Sequence, residues 1–307
     1  MFECIWNIPT TFGGNIKCRF QKPTSHKKMY EKSLKRAKGW LASPYDEITQ
    51  EKVKALIEKG GEELIESFYK DLDFGTGGMR GIMGVGPNRI NKYTIGKATQ
   101  GLANTLISAH KSQSLSVAVA YDSRNNSNEL ALNVAEVLTA NGIKAYLFNS
   151  LRPTPELSFA VRELGCEGGV VITASHNPKE YNGFKVYGAD GSQIVSPFDS
   201  ELINKVRGLS IDEVNFSANK ELIFGLGDEM DNTYLARLKT LSLSPEEIIK
   251  QKDLPIVFTG IHGTGAVMVP KALKAFGFNN VTTVASQDVI DGSFPTVHSP
   301  NPEELLR

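Results

Sequence analysis

The middle of this chain alternates between two hydrophobic periods, and that alternation limits its fold more than any other feature. Residues 116–121 (SVAVAY), 144–148 and 168–173 are short apolar runs rich in β-branched residues, which read as buried strands. Between them, residues 129–141 and 155–164 place apolar side chains at helical spacing, and Gly142 follows the first as a C-terminal stop. Strands separated by helices cannot pair as tight hairpins. They need crossovers, which set successive strands parallel and lay helices over the sheet. The expected fold is α/β, with a mixed, largely parallel sheet sandwiched by helices.

The flanking segments extend the pattern. Tyr45-Asp46-Glu47 opens a helical face of Ile48, Val53, Leu56 and Ile57, and a second face runs through Leu64, Ile65, Phe68 and Tyr69. Residues 92–109 are again helical, and a short helix follows Pro197. After a polar stretch the cycle restarts, with a helix at 230–241, a strand at 255–259, a helix at 267–276 and a strand at 281–284. This predicts a first domain at 28–209, a linker at 210–222, and the start of a second similar α/β domain at 223–307. Residues 1–27 mix Pro, Gly and scattered apolar residues without a sustained period, and are read as an extension of no assigned function.

Composition narrows the function. The 34 Lys+Arg balance 34 Asp+Glu, so the chain lacks the basic excess that a nucleic-acid partner demands. With 40% hydrophobic and 22% charged residues, it is too apolar for general disorder. There is no apolar run of about 18 residues to cross a membrane. The three cysteines, Cys4, Cys18 and Cys166, form neither a disulfide framework nor a zinc knuckle. The expected location is cytoplasmic, and Cys166 reads as an inert buried thiol.

Two segments carry chemistry. From Gly75 to Gly86 there are six glycines, too many for a strand or helix interior, so a specialised loop is expected. There Gly77 and Gly78 free backbone N–H groups to face an anion, with Arg80 beside them. The second segment is Thr173-Ala-Ser-His-Asn-Pro178, just past a strand end, where parallel sheets place ligands. Ser175 with His176 beside it and Lys185 ten residues on has the parts of an activated nucleophile. Asn182-Gly183 signals a tight turn, after which residues 184–187 return as a strand and bring Lys185 towards Ser175. The plain alternative is a solvated surface turn, since Ser, Asn and Pro favour turns unaided. A serine hydrolase is disfavoured, because the G-x-S-x-G elbow is absent around Ser175.

The Thr173–Pro178 stretch, followed by Tyr181-Asn-Gly-Phe-Lys185, resembles the phosphoserine loop of the α-D-phosphohexomutases, the phosphoglucomutases and phosphomannomutases. Phe74-Gly-Thr-Gly-Gly-Met-Arg-Gly81 is similar to that family's N-terminal phosphate loop, with Thr76 and Arg80 at ligand positions. Asp122-Ser-Arg124, the Gly260–Gly265 stretch, and Asp291-Gly-Ser-Phe-Pro with the later Pro-Asn-Pro-Glu303 match further family turns in the same order. Tyr45-Asp46-Glu47 and the glycine run resemble the phosphoglucomutase/phosphopentomutase branch most.

The resemblance implies an isomerase in which phosphorylated Ser175 exchanges its phosphoryl group with glucose 1-phosphate and glucose 6-phosphate. A bisphosphorylated sugar, glucose 1,6-bisphosphate, is then the intermediate and activator. It implies Lys185 and His176 as proton-transfer groups, and Thr76, Arg80, His176, Asn177 and Lys185 as phosphate or substrate contacts. Mg²⁺ is implied as cofactor, bound through the phosphate on Ser175 and three aspartates of an Asp-x-Asp-x-Asp-Arg loop. No such triplet occurs; Asp288 and Asp291 read as turn residues. The family's sugar-recognition loop is also absent. The expectation is an N-terminal portion of a mutase that is inactive alone, with the metal aspartates beyond residue 307. Phosphopentomutase or phosphomannomutase specificity, and a non-catalytic phosphate-binding fragment, are the alternatives. Asp122–Arg124 is expected to be a structural ion pair, Gly263 and Gly265 a strand-to-helix turn, and His262 a satisfied loop histidine.

Overall fold

The structure is a computed structural model that describes residues 25–75, 77–110, 114–301 and 303. Three helices lead: α1 (Ser25–Lys38), α2 (Glu47–Lys59) and α3 (Gly61–Phe68). Asp46 caps α2 by accepting from the Thr49 amide at 2.7 Å. Their apolar faces meet in a separate cluster where Trp40 stacks on Tyr45 at 4.1 Å and meets Phe68 and Tyr93 edge-on.

Next come β1 (Gly78–Ile82), α4 (Lys92–Ala109), β2 (Ser116–Tyr121), α5 (Ser127–Ala140), β3 (Lys144–Phe148), α6 (Thr154–Glu163), β4 (Gly168–Ile172), β5 (Tyr181–Gly188), α7 (Phe198–Gly208) and β6 (Ile223–Leu226). The six strands form one sheet in the order β1-β5-β4-β2-β3-β6, in which only β5 runs against the others. Helices α4, α5 and α7 pack on one face through Ile95, Leu102, Val134, Leu138 and Leu202. On the other face, Leu157 and Val161 of α6 join Met230 of α8 (Asp228–Lys239). The mixed, largely parallel sheet between helices is therefore present as expected.

A second α/β unit follows with α9 (Pro245–Lys250), β7 (Ile256–Phe258), α10 (Gly265–Phe276), β8 (Val281–Thr283) and α11 (Ala285–Asp288). Strands β7 and β8 pair in parallel.

Several expectations need correction. The glycine-rich segment is not wholly loop, because Gly78–Ile82 forms edge strand β1 on β5. Glycine permits that pairing: a Cβ on Gly78 would lie 1.9 Å from the Phe184 carbonyl oxygen. Asn182-Gly183 is not a turn either. Both residues sit inside β5, and the reversal occupies residues 174–180. Finally, residues 223–226 do not open the second unit. They pair in parallel with β3 and complete the first sheet, so the division falls after Leu226. The segment before them is packed rather than loose, with Val214 buried and Phe216 set against Tyr93. Helix α1 begins at Ser25, inside the stretch read as an extension, and residues 1–24 lie outside the described residues.

Candidate active site

Ser175 follows the C-terminal end of β4 and is exposed, whereas Ala174 before it is buried. Its φ is 58°, in the left-handed region that a non-glycine residue adopts at an energetic cost. The surrounding turn over-determines that posture. The Ser175 amide donates to Thr173 Oγ1 at 2.9 Å, the Asn177 amide to the Ala174 carbonyl at 3.1 Å, and the Tyr181 amide to the Pro178 carbonyl at 3.0 Å.

Arg124 contributes most to the turn's shape. It is 3% exposed and donates four bonds to backbone carbonyls of the turn and the start of β5: Nη1 to Pro178 at 2.8 Å and Tyr181 at 3.0 Å, Nη2 to Ser175 at 2.9 Å and Asn177 at 2.5 Å. Charge-assisted bonds of this kind are among the stronger ones available to a fold. Asp122 lies 3.4 Å from Arg124 Nε, but its carboxylate chiefly accepts from the Arg124 amide at 3.0 Å and Ser127 Oγ at 2.8 Å. Burial pushes the Asp122 carboxyl upward, against hydrogen bonds led by the Thr173 hydroxyl. The pair read as a structural ion pair is thus mainly a brace for the serine turn. Sequence reasoning missed this, because the acceptors are backbone carbonyls that leave no side-chain signature.

Ser175 Oγ lies 3.3 Å from His176 Nδ1, which allows a hydrogen bond in one imidazole tautomer. Arg80 and Lys185 reach the same face of the sheet by strand register. Arg80 opposes Gly183 on β5, Gly78 opposes Lys185, and Val171 of β4 opposes Lys185 from the other side. Residues opposite one another share a face, and so do residues two apart. The Thr173 amide bonds to the Gly183 carbonyl, which carries this face up to the serine turn. No hydrogen bond joins Lys185 to Ser175 among the described residues. Gly183 sets the spacing: a Cβ there would meet the Met79 and Thr173 carbonyl oxygens, each at 2.7 Å.

The other expected contacts divide. The Asn177 backbone carbonyl serves Arg124, while its side-chain Oδ1 is buried without a hydrogen-bond partner among the described residues. Thr76 lies outside the described residues. The Gly78 N–H donates to the Gly75 carbonyl at 3.0 Å, so it does not face an anion as expected. Asn182 is fully buried, and its amide donates to Ser127 Oγ at 2.9 Å, tying β5 to the Asp122 turn. His262 bonds through both ring nitrogens, as a satisfied loop histidine does. Burial pushes the Cys166 thiol up to about 11, which leaves it inert.

A Mg²⁺ site is not supplied by the described residues. No group of three His, Cys, Asp or Glu is placed to hold a metal among them. The Asp291 carboxylate already accepts from the amide and hydroxyl of Ser293. Likewise, no helix among the described residues is long and apolar enough to cross a membrane.

Comparison with known proteins identifies the family. Residues 71–211 match the family model for phosphoglucomutase/phosphomannomutase α/β/α domain I, and residues 232–307 match that for domain II. The chain is 42% identical over 244 residues to a phosphoglucomutase of Staphylococcus haemolyticus, covering 78% of this chain and 43% of the relative. It is 39% identical over 277 residues to a phosphoglucomutase of Staphylococcus aureus strain N315, covering 87% and 49%. The chain thus spans about half the length of the curated relatives it matches. In fold it is similar to a phosphoglucomutase/phosphomannomutase family protein from Burkholderia thailandensis, with a TM-score of 0.55 at 23% identity over 75% of this chain and 46% of that one. With both domain models matched in order and the exposed serine turn inside the first, this chain belongs to the phosphoglucomutase/phosphomannomutase family, the α-D-phosphohexomutases.

Proposed function

We propose that the chain is the phosphoryl-carrying part of a phosphoglucomutase-type sugar-phosphate mutase, with Ser175 as the carrier. The observation that supports this most is the exposed, left-handed Ser175 just beyond β4, two residues after Thr173, whose amide bonds to the Gly183 carbonyl between Arg80 and Lys185 in the strand register. A phosphoserine brings about −1.5 to −2 charges at neutral pH, and an arginine fork and a lysine are what phosphate oxygens require. Phosphoryl transfer depends on such positioning and charge neutralisation rather than on new covalent chemistry.

In the forward step a free hydroxyl of glucose 1-phosphate attacks the phosphorus on Ser175. The bond from phosphorus to Ser175 Oγ breaks, and the hydroxyl proton passes to Lys185 or His176. The product is glucose 1,6-bisphosphate. After the sugar turns over, the Ser175 oxygen attacks the phosphorus on the 1-position. The bond from that phosphorus to the sugar oxygen breaks, that oxygen takes the proton back from Lys185 or His176, and glucose 6-phosphate leaves. The names of the matched staphylococcal relatives favour glucose over pentose or mannose phosphates. Mg²⁺ dependence accompanies the family.

Intact mass spectrometry of the chain after incubation with glucose 1,6-bisphosphate and Mg²⁺ tests the assignment. We expect one phosphate adduct in the wild type and none in Ser175→Ala. An adduct that persists in the variant would place the nucleophile elsewhere. A coupled assay for glucose 6-phosphate on the same samples separates turnover from mere phosphate holding.

A further inference from the structure

Phe294 belongs to the second unit, yet its ring serves the first. It is 6% exposed and has a φ of 51°, a left-handed conformation that bulky residues rarely adopt. Its ring lies against the Arg124 guanidinium, with Cζ 5.5 Å from the ring centroid, within the range at which a cation is attracted to an aromatic face. The turn that carries it sits directly on the first unit's backbone. A Cβ on Gly292 would come within 2.5 Å of the Asn125 amide nitrogen and 2.8 Å of the Ser123 carbonyl oxygen, so no larger residue fits.

The turn is also braced from behind. His262 is buried, with Nδ1 2.7 Å from the Val289 carbonyl oxygen and Nε2 2.7 Å from Thr296 Oγ1, one contact on each side of Phe294. Asp291 closes the turn from within by accepting from the Ser293 amide at 2.8 Å. These bonds hold the aromatic ring in place against its own backbone preference.

Arg124 needs such a cover. Its terminal nitrogens all bond to carbonyls of the serine turn, while Nε has no hydrogen-bond partner among the described residues. The guanidinium is thus held through both terminal nitrogens, and Phe294 adds its ring face to the cation. We propose that Phe294 is a positioning residue that clamps Arg124 onto the serine turn, so that the posture of Ser175 depends on docking of the second unit's 289–297 turn.

Amide hydrogen exchange on the full chain tests the clamp without any ligand. The reporters are the Ser175, Asn177 and Tyr181 amides, whose bonds define the turn, with the β2 amides as control. In Phe294→Ala the reporters should exchange about tenfold faster than in wild type while β2 stays unchanged. Phe294→Tyr retains the ring face and should restore slow exchange. A second readout, the rate at which glucose 1,6-bisphosphate phosphorylates Ser175, should fall by a similar factor in Phe294→Ala. That readout rests on the proposed function. A wild-type chain that takes no phosphate would overturn the function and leave exchange to judge the clamp. Unchanged reporters in Phe294→Ala, equal acceleration across β2, or a Tyr variant as fast as the Ala variant would each overturn the clamp.

Discussion

The two units differ sharply in how they bury their residues. In the first, every residue of β2 and β4 is buried, and helices cover both faces of the sheet. In the second, no residue of β7 or β8 is buried, and Val257 is 74% exposed. Beyond α8, the described buried side chains are His262, Met268 and Phe294, and two of these three shape the turn that meets Arg124. The first unit holds the buried scaffold, while two of the second unit's three buried side chains lie in or behind the turn that meets Arg124.

The largest test of that contrast is in the cores. Phe184 is fully buried on β5 and packs against Phe74 at 6.2 Å. Phe184→Ala should cost about 3–5 kcal/mol in denaturant unfolding. Val257→Ala should stay within about 0.5 kcal/mol. Comparable losses at both sites would erase the distinction.

The seam between the units supplies the second test. Asp231 of α8 accepts from Arg152 Nε at 2.7 Å and from Lys271 Nζ at 2.7 Å, joining a guanidinium of the first unit to an ammonium of the second. Glu156 is fully buried nearby, with Oε1 3.9 Å from Arg152 Nε and no hydrogen-bond partner for either oxygen among the described residues. Burial, then Asp231, pushes its carboxyl from 4.5 to about 8, which favours the protonated acid at neutral pH. Asp231, despite its own burial, is held below its usual value by Arg152, Lys271 and Glu156.

The sign follows from proton counting. Between 4.5 and about 8 the folded chain keeps a proton on Glu156 that the unfolded chain releases. Glu156 therefore makes stability fall as pH rises through that window, by up to about 1.4 kcal/mol per pH unit. Asp231 acts oppositely, and its contribution is lost only in acid. Glu156→Gln should flatten the slope across the window. An unchanged slope in urea titrations would show that the carboxyl is ionised in the fold.

The smallest expected effect concerns helix caps. Asn91 accepts from the Tyr93 and Thr94 amides, each at 3.0 Å, and Thr94 Oγ1 accepts from the Asn91 amide in return. Asn91→Ala should cost about 1 kcal/mol. Ser244, before α9 in the second unit, makes no such side-chain bond, and its replacement should cost a few tenths at most.

Much of the first unit is legible in the sequence, for a physical reason. Strands β2 and β3 and helix α4 have the predicted bounds, because their apolar periods are unmixed. Strand β1 is hidden by its glycines, which usually argue against strand but here allow Gly78 to press on Phe184. The serine turn is legible from its residue types. The grip of Arg124 is not, since its acceptors are carbonyls more than fifty positions away. Phe294 is equally silent, because an aromatic in a turn looks like ordinary packing until its cation is found.

Strand β6 has one further consequence. Its four residues finish the sheet begun by β3, with Phe224 against Tyr146 at 5.6 Å, although they follow the residues matched by the first family model. A chain ended at residue 211 would therefore strip β3 of its neighbour and leave unpaired backbone groups, an invitation to pair with another molecule. Only a cut beyond Leu226 would leave the first sheet whole, and even that would remove Asp231 from the buried Arg152.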